Sequence, residues 1–237
     1  MFRIGILGAA DIAFNKFIPA LMKVEGVECA GVASNSPDKL KRFVEKYNVH
    51  VYSSYNEVIG DDSVDCVYIP LPPAFHYEWA KKALLAGKHV FLEKPSTTSA
   101  DDTKELVGIA GEKGLVVQEN YMFQFHAQLK EIESFIASGE LGKLRLVRTS
   151  FGFPRRAEGD FRYVKELGGG TMMDNGGYTI KLIDMLLGES MRLVSSQLDY
   201  DEKTGIDIFG TAEFVNDDGV IAQVAFGMDC QYQCSLE

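Results

Sequence analysis

The sequence predicts an α/β protein: a parallel sheet with right-handed crossovers, followed by an α+β domain with an antiparallel-type sheet. Three observations predict it. Residues 1–121 alternate short, nearly continuous apolar runs with amphipathic helical segments, as strands covered on both faces require. The first of these runs enters a turn of small residues, Gly8-Ala9-Ala10, before a helical pattern. After residue 122 the alternation stops, and Asn216-Asp217-Asp218-Gly219 joins two strand patterns as a hairpin would.

In the first part, strands are expected over residues 3–7, 28–33, 49–52, 64–70, 89–92 and 115–119, with helices over 12–24, 37–47, 75–86 and 100–113. Ser36 and Pro37 read as N-cap and first helical residue, and Ser99 with Asp102 as a capping box. Gly87 and Gly114 stand where a left-handed residue closes a helix. The second part reads as a helix over 127–138, a strand over 144–153 and a polar loop over 154–159. The glycines 168–170 then lead into a helix over 171–187, and strands follow over 193–199, 206–215, 220–228 and 231–236. The domains are therefore expected at 1–121 and 122–237. The pattern stops within a strand at Glu237, so the second domain is expected to be incomplete at its C-terminus, since a complete one would leave a ragged sheet edge.

Composition excludes several classes. Lys and Arg number 24 against 34 Asp and Glu, a net charge of −10 that argues against a nucleic-acid partner. No apolar run approaches the ~20 residues that span a bilayer. The N-terminus passes straight into a strand with no signal-peptide cleavage pattern. Cys29 and Cys66 fall in expected interior strands, and Cys230 and Cys234 lack a histidine cluster, so neither disulfides nor a metal site are expected. These features fit a reducing cytoplasm.

Chemistry is expected at five places. Gly8, Ala10 and Ala13 occupy the positions of a G-x-G-x-x-G/A dinucleotide turn, which makes Gly8, Ala10, Asp11 and Ile12 candidate cofactor contacts. The second strand ends in Ser34-Asn35-Ser36 with Lys39 and Lys41 near and no acid before Asp38, which favours NADP while leaving NAD possible. The same residues would also make an ordinary solvated turn. Pro70, Leu71 and Pro72 either wall a flat ring or form a stiff connector, and His76 is either a helix-cap partner or a ligand contact.

The run Gly87-Lys88-His89-Val90-Phe91-Leu92-Glu93-Lys94-Pro95 ends a strand abruptly, because proline lacks an N–H and biases Lys94 away from helix. Glu93 and Lys94 then lie at the carboxyl edge of the sheet, where ligands bind. They are either an ion pair closing the strand or groups with a task. Asp174 and Tyr178 are spaced i,i+4 on the later helix, with Gly176 and Gly177 permitting close approach to its backbone. A phenol near an ammonium is an acid of lowered pKa, whereas a phenol packed at a domain interface is only structural.

Together these segments resemble the Gfo/Idh/MocA family of NAD(P)-dependent oxidoreductases. The resemblance rests on the GILGAADIA turn, VYIPLPPAFHYEWAKKALLAGKHVFLEKP, ENYMFQFHAQ and GDFRYVKELGGGTMMDNGGYTIKLIDMLLG, and covers the whole chain. It is closest to members acting on sugars and diols: NDP-hexose 3-ketoreductases, D-xylose dehydrogenases and dihydrodiol dehydrogenases. It implies a Rossmann-type, doubly wound NAD(P)-binding domain, then a substrate-binding and dimerisation α+β domain with a large, open, mainly antiparallel sheet, and a homodimer or higher homo-oligomer. It further implies Lys94, Asp174 and Tyr178 as catalytic residues, and Tyr121, Phe125, His126, Asp160, Arg162 and Tyr178 as the substrate pocket. The chain departs from the family in Ala10 for a more usual glycine, in Asn35 where NADP-using relatives often carry arginine, and in its shorter length. The expected activity is hydride transfer between nicotinamide and a sugar or diol carbon. The alternatives are a non-catalytic dinucleotide-binding regulator and a redox-neutral sugar enzyme with tightly bound NAD.

Overall fold

The computed structural model describes residues 1–140, 142–157 and 159–237. The chain divides into two compact units, Met1–Asn120 and Tyr121–Glu237.

The first unit is a five-stranded parallel sheet in the order β2-β1-β3-β4-β5. Its strands are β1 (Phe2–Leu7), β2 (Val27–Ala33), β3 (Cys66–Ile69), β4 (His89–Glu93) and β5 (Val117–Asn120). The α-helices are α1 (Ile18–Leu21), α2 (Pro37–Tyr47), α3 (Tyr55–Gly60), α4 (His76–Leu85) and α5 (Ala100–Lys113). One apolar core, including Val58, Val67, Ala83, Leu84 and Leu106, packs α3, α4 and α5 on one face. Another, including Ile6, Ile18, Phe43 and Tyr68, packs α1 and α2 on the other. Covering both faces is why the inner strand β3 is apolar and buried along its whole length.

Four local expectations are corrected. Residues 49–52 form no strand: Val51 makes a single parallel bridge to Val32, and Tyr52 turns inward to donate to Asp61 at 2.6 Å. The helix expected over 12–24 begins with a π-turn, Ala13–Phe17, and its α part ends at Leu21. Ser36 makes no side-chain cap; its own N–H donates to Ser34 Oγ instead. Cys29 also lies on the edge strand β2 rather than in the sheet interior, although Cys66 is buried. The unforeseen α3 carried a readable signal. Ser54 accepts from the Glu57 N–H, and the Glu57 carboxylate reaches back to the Ser53 N–H at 2.6 Å, in the manner of a capping box.

One buried side chain ties two strand exits together. His76, 0% exposed at the start of α4, sets Nδ1 2.8 Å from the Pro95 carbonyl and Nε2 2.7 Å from the Leu71 carbonyl. The Ser96 N–H donates to Glu119 on β5 at 2.6 Å, so the turn after Pro95 is held from both sides. The Lys94–Pro95 peptide is cis.

The second unit holds α6 (Ala127–Ser138), α7 (Gly177–Leu187) and a five-stranded sheet in the order β10-β6-β9-β8-β7. The strands are β6 (Leu146–Phe153), β7 (Arg192–Tyr200), β8 (Asp207–Val215), β9 (Ile221–Met228) and β10 (Gln233–Leu236). The sheet is mixed. Hairpins make β7–β8 and β8–β9 antiparallel, as is β10–β6, but the central β6–β9 pair is parallel, because a long connection through α7 separates those two strands. The loop expected over 154–159 is met at its described residues; Glu158 lies outside them. Val147, Ala222, Val224 and Phe226 pack one face against Ile183 of α7. On the opposite face Arg148 Nε donates to Gln223 at 3.0 Å, and Gln223 donates to Glu213 at 2.9 Å.

Burial pushes the His76 pKa below its ordinary value of 6.5, an effect that its two carbonyl neighbours oppose without overcoming. The unfolded chain therefore binds more protons than the folded one near that pH. The His76 contribution to stability is complete above about pH 6.5 and is lost as pH falls. Urea unfolding between pH 5 and 8 should show this loss in the native protein and a flatter profile in His76→Gln. An unchanged slope in the variant would remove His76 as its source.

Candidate active site

The first unit carries a cleft of about 500 Å³ at the carboxyl ends of β1 and β2. Its floor is the turn Gly8-Ala9-Ala10, one side is Ser34-Asn35-Ser36 with Lys39, and the opposite wall is Pro70-Leu71-Pro72. Tyr55, Phe75, Glu78 and Trp79 complete it. Gly8 has φ +126°, and a Cβ there would come within 2.9 Å of Leu71 Cδ2. The turn thus requires glycine, and its bare backbone lets a ligand lie close. A cleft with a small-residue floor, a proline wall, aromatic rings and a lysine beside hydroxyls has the chemistry that a dinucleotide's phosphates and adenosine require. The residues present fit that cofactor.

Not every expected contact lines the cleft. Asp11 and Ile12 lie outside its lining, and the Asp11 carboxylate is paired with Arg42 at 2.6 Å. Arg42 also donates to the Ala9 carbonyl at 3.3 Å and lies over the Phe14 ring. This arginine, which braces the turn, escaped the sequence reading although it follows Lys39 by one helical step on α2. Lys41, exposed and paired with Asp38, takes no part. His76 is corrected from ligand contact to internal tie: at 0% exposure with carbonyls at both ring nitrogens, it has no surface to offer.

At the end of β4 the Glu93 carboxylate accepts from Tyr68 Oη at 2.5 Å and Asn120 Nδ2 at 2.9 Å. Burial, then the carboxylate, raises the Tyr68 pKa, so that phenol stays a donor. Glu93 is thereby fixed by neutral partners. Lys94 follows it directly.

In the second unit Asp174, 8% exposed, sits in a π-turn, Met172–Gly176, that opens the last long helix. Arg162 Nε donates to Asp174 at 2.6 Å, while Arg162 Nη1 donates to Asp160 at 3.1 and 3.2 Å. Burial works against the arginine's charge, but the two carboxylates outweigh it and raise its pKa. Asp160, Arg162 and Asp174 are therefore brought together as one ionic chain. The Tyr178 ring packs among Tyr121 at 5.1 Å, Phe151 at 5.1 Å and Phe123 at 5.8 Å. A Cβ on Gly177 would collide with the Tyr121 hydroxyl, so the close approach that this glycine permits is that of Tyr121. Gly170, at φ +117°, leaves room for the Asp207 carboxylate, which accepts from the Met172 N–H at 2.6 Å and starts the helix.

The remaining candidates stand apart. His126 caps α6 by accepting from the Gln128 N–H, and Phe125 is 76% exposed on a short turn. Phe123 and Phe151 were missed. Phe151 alternates with Phe153 on β6, a period-two signal that marked a strand face but not which ring it would meet.

Comparison with known proteins places these features. Residues 2–121 match the GFO/IDH/MocA model described as "Oxidoreductase family, NAD-binding Rossmann fold", and residues 129–237 match the GFO/IDH/MocA C-terminal domain. The dTDP-3,4-didehydro-2,6-dideoxy-alpha-D-glucose 3-reductase of Actinomadura kijaniata is 36% identical over 235 residues, covering 99% of this chain and 71% of that protein. D-xylose 1-dehydrogenase (NADP(+)) 2 of Haloferax volcanii is 33% identical over 228 residues, covering 95% of this chain and 69% of that protein. The crystal structure of KijD10, a 3-ketoreductase from Actinomadura kijaniata in complex with NADP and TDP-benzene, superposes with a TM-score of 0.96 at 36% identity, covering 99% of this chain and 72% of that one. KijD10 has also been solved with one tyrosine changed to phenylalanine and with one lysine changed to alanine or glutamate. With both family models matched and a relative 36% identical over 99% of this chain, the chain belongs to the Gfo/Idh/MocA family of NAD-binding oxidoreductases.

Proposed function

We propose that this protein reduces the carbonyl of a ketosugar with NADPH, and that Tyr178 donates the proton and Lys94 orients the substrate oxygen. The carrying observation is the setting of Tyr178: a phenol inside an aromatic cluster, four residues after a buried aspartate clamped by arginine. Bound NADPH supplies the hydride. The chain's own residues do the rest. Aromatic rings around Tyr178 exclude water and hold its ring in one orientation, so its hydroxyl gives a proton from a fixed position. The Lys94 ammonium hydrogen-bonds the carbonyl oxygen as negative charge develops there and stabilises the phenolate left behind. Asp174, held by Arg162, accepts from a substrate hydroxyl or keeps Tyr178 in place. In the oxidative direction the same phenol is the base.

Cofactor binding falls to the cleft. Gly8 and Ala10 would hold the diphosphate, Pro70, Leu71 and Pro72 would flank the cofactor, and Ser34, Asn35 and Lys39 would take the adenosine 2′-phosphate. The absence of a carboxylate on that side of the cleft supports NADP over NAD. In this reading residues 1–121 bind cofactor, and residues 122–237 bind sugar and build a homodimer in a reducing cytoplasm. The four free cysteines agree with such a compartment, and among the described residues no helix is long and apolar enough to cross a membrane.

NADPH oxidation against a panel of free and nucleotide-linked ketosugars tests the activity. Tyr178→Phe and Lys94→Ala should each lower kcat by roughly 10²–10⁴-fold. Cofactor affinity should persist, read from quenching of Trp79, the sole tryptophan and a lining residue of the cleft. Unchanged turnover in either variant would overturn its role, and cofactor binding with no oxidation by any ketosugar would return the regulator alternative.

Cofactor choice is tested by the same fluorescence. Lys39→Glu should weaken NADPH roughly ten- to a hundredfold and leave NADH nearly unaffected, because only the former carries the 2′-phosphate. Equal losses for both would remove Lys39 from phosphate recognition.

A further inference from the structure

We propose that Asn175 is a positioning residue for the reduction: its side-chain amide clamps the turn that opens α7 to strands β9 and β6, and so fixes the ring of Tyr178. This rests on the reading of Tyr178 as proton donor. Asn175 stands one residue after Asp174 and three before Tyr178, within the π-turn Met172–Gly176, and is fully buried. Its Nδ2 donates to the Gly227 carbonyl at 2.7 Å and to the Phe151 carbonyl at 3.5 Å. Those carbonyls belong to the two strands of the central parallel pair. Phe151 closes the brace: its carbonyl accepts from Asn175, and its ring packs on the Tyr178 ring at 5.1 Å. Backbone, amide and ring contact thus join Asn175, Phe151 and Tyr178 in a closed triangle.

Local physical chemistry gives little other reason for an asparagine here. Asparagine is a poor helix former, because its side chain competes for nearby backbone groups. At this position the amide instead reaches strands 24 and 52 residues away in sequence. Among the described residues its buried Oδ1 has no hydrogen-bond partner, a desolvation cost that an apolar side chain would avoid. A residue that breaks two local rules at once is expected where function sets the requirement. The placement is also tight. A Cβ on Gly176 would lie 3.3 Å from the Phe226 ring, so the turn rests directly on β9. Asp207 holds the Met172 N–H and Arg162 holds the Asp174 carboxylate. Of these three anchors, Asn175 is the nearest to Tyr178 along the chain and the one that reaches the strand whose ring touches it.

Fluorine NMR of the full chain carrying fluorotyrosine tests the proposal, with the Tyr178 signal identified by its loss in Tyr178→Phe. Asn175→Ala removes the amide, and Asn175→Leu removes it while keeping a side chain of the same branching. In both variants the Tyr178 signal should shift or broaden, while those of Tyr52, Tyr55 and Tyr68 in the first unit stay in place. The kcat for ketosugar reduction should fall roughly ten- to a hundredfold with KM for NADPH unchanged, because a donor misplaced by about 1 Å loses that much. A merely structural asparagine would lower the thermal midpoint and leave kcat and the Tyr178 signal of the folded protein as they are; that result would overturn the proposal. So would native kcat in Asn175→Leu beside a loss in Asn175→Ala, which would assign the effect to packing and not to the amide. A displaced signal with native kcat, in a protein whose turnover needs Tyr178, would overturn it too. With turnover indifferent to Tyr178→Phe, or with no ketosugar reduced, a displaced Tyr178 signal in both variants would instead overturn the proton-donor reading and leave the brace standing.

Discussion

The dinucleotide-binding unit is organised around a shortage of hydrogen-bond donors. Two of its strand exits are broken by proline, β3 into Pro70-Leu71-Pro72-Pro73 and β4 into Pro95, where the sheet opens toward ligand. Proline supplies no N–H, so carbonyls near such exits lose the partners that a continuing ladder would provide. One side chain lies against both exits: His76 sits between the Leu71 and Pro95 carbonyls. A neutral imidazole has one N–H to give. The second carbonyl favours imidazolium while burial opposes it more strongly. The cofactor cleft wall and the turn that presents Lys94 therefore share one buried strut, and neither can shift without disturbing the other.

Much of this was legible in the sequence. The apolar runs gave the parallel sheet, since burial on both faces leaves no period-two pattern to misread. The helices over 37–47, 100–113 and 127–138 were legible to the residue, because Pro37, Gly114 and Gly139 mark their ends by backbone chemistry. The misses have a common cause. Two helices open with π-turns, after Ile12 and after Thr171, and at each a side chain distant in sequence reaches the backbone; at the first, Tyr47 Oη donates to the Phe14 carbonyl at 2.6 Å. At the second, the Asp207 carboxylate takes a backbone N–H from thirty-five residues away, which no local window contains. At the candidate site the sequence shows residue types more readily than partnerships. Asp174 was visible as a carboxylate near Tyr178, whereas its clamp by Arg162 depends on a turn formed by Asp160 that only the fold brings round.

The distribution of charge follows the same division between function and surface. The acidic excess is spread along the chain, while several cations are held in place. Arg42 braces the Gly8-Ala9-Ala10 turn from α2, and Arg162 is held, half-buried, between two carboxylates. Exposed pairs such as Lys41–Asp38 or Lys104–Asp101 contribute little to stability, because water screens them and their side chains lose freedom in pairing. The cations that matter are those whose motion has been removed by an aromatic face or a second carboxylate.

The polar row across the second sheet has a consequence of its own. Arg148, Gln223 and Glu213 stand directly opposite one another in the pairing of β6, β9 and β8. Their neighbours along each strand, Val147, Ala222 and Phe214, belong to the apolar cluster beneath. Because side chains alternate faces, a slip of one strand by a single residue would drive a charged group among Val224, Phe226 and Ile183 and bring an apolar one to the surface. The row thus acts as a vernier: its three side chains meet only when every strand is in step, and the aromatic residues on β6 are held at their height along the sheet by hydrogen bonds on its far side.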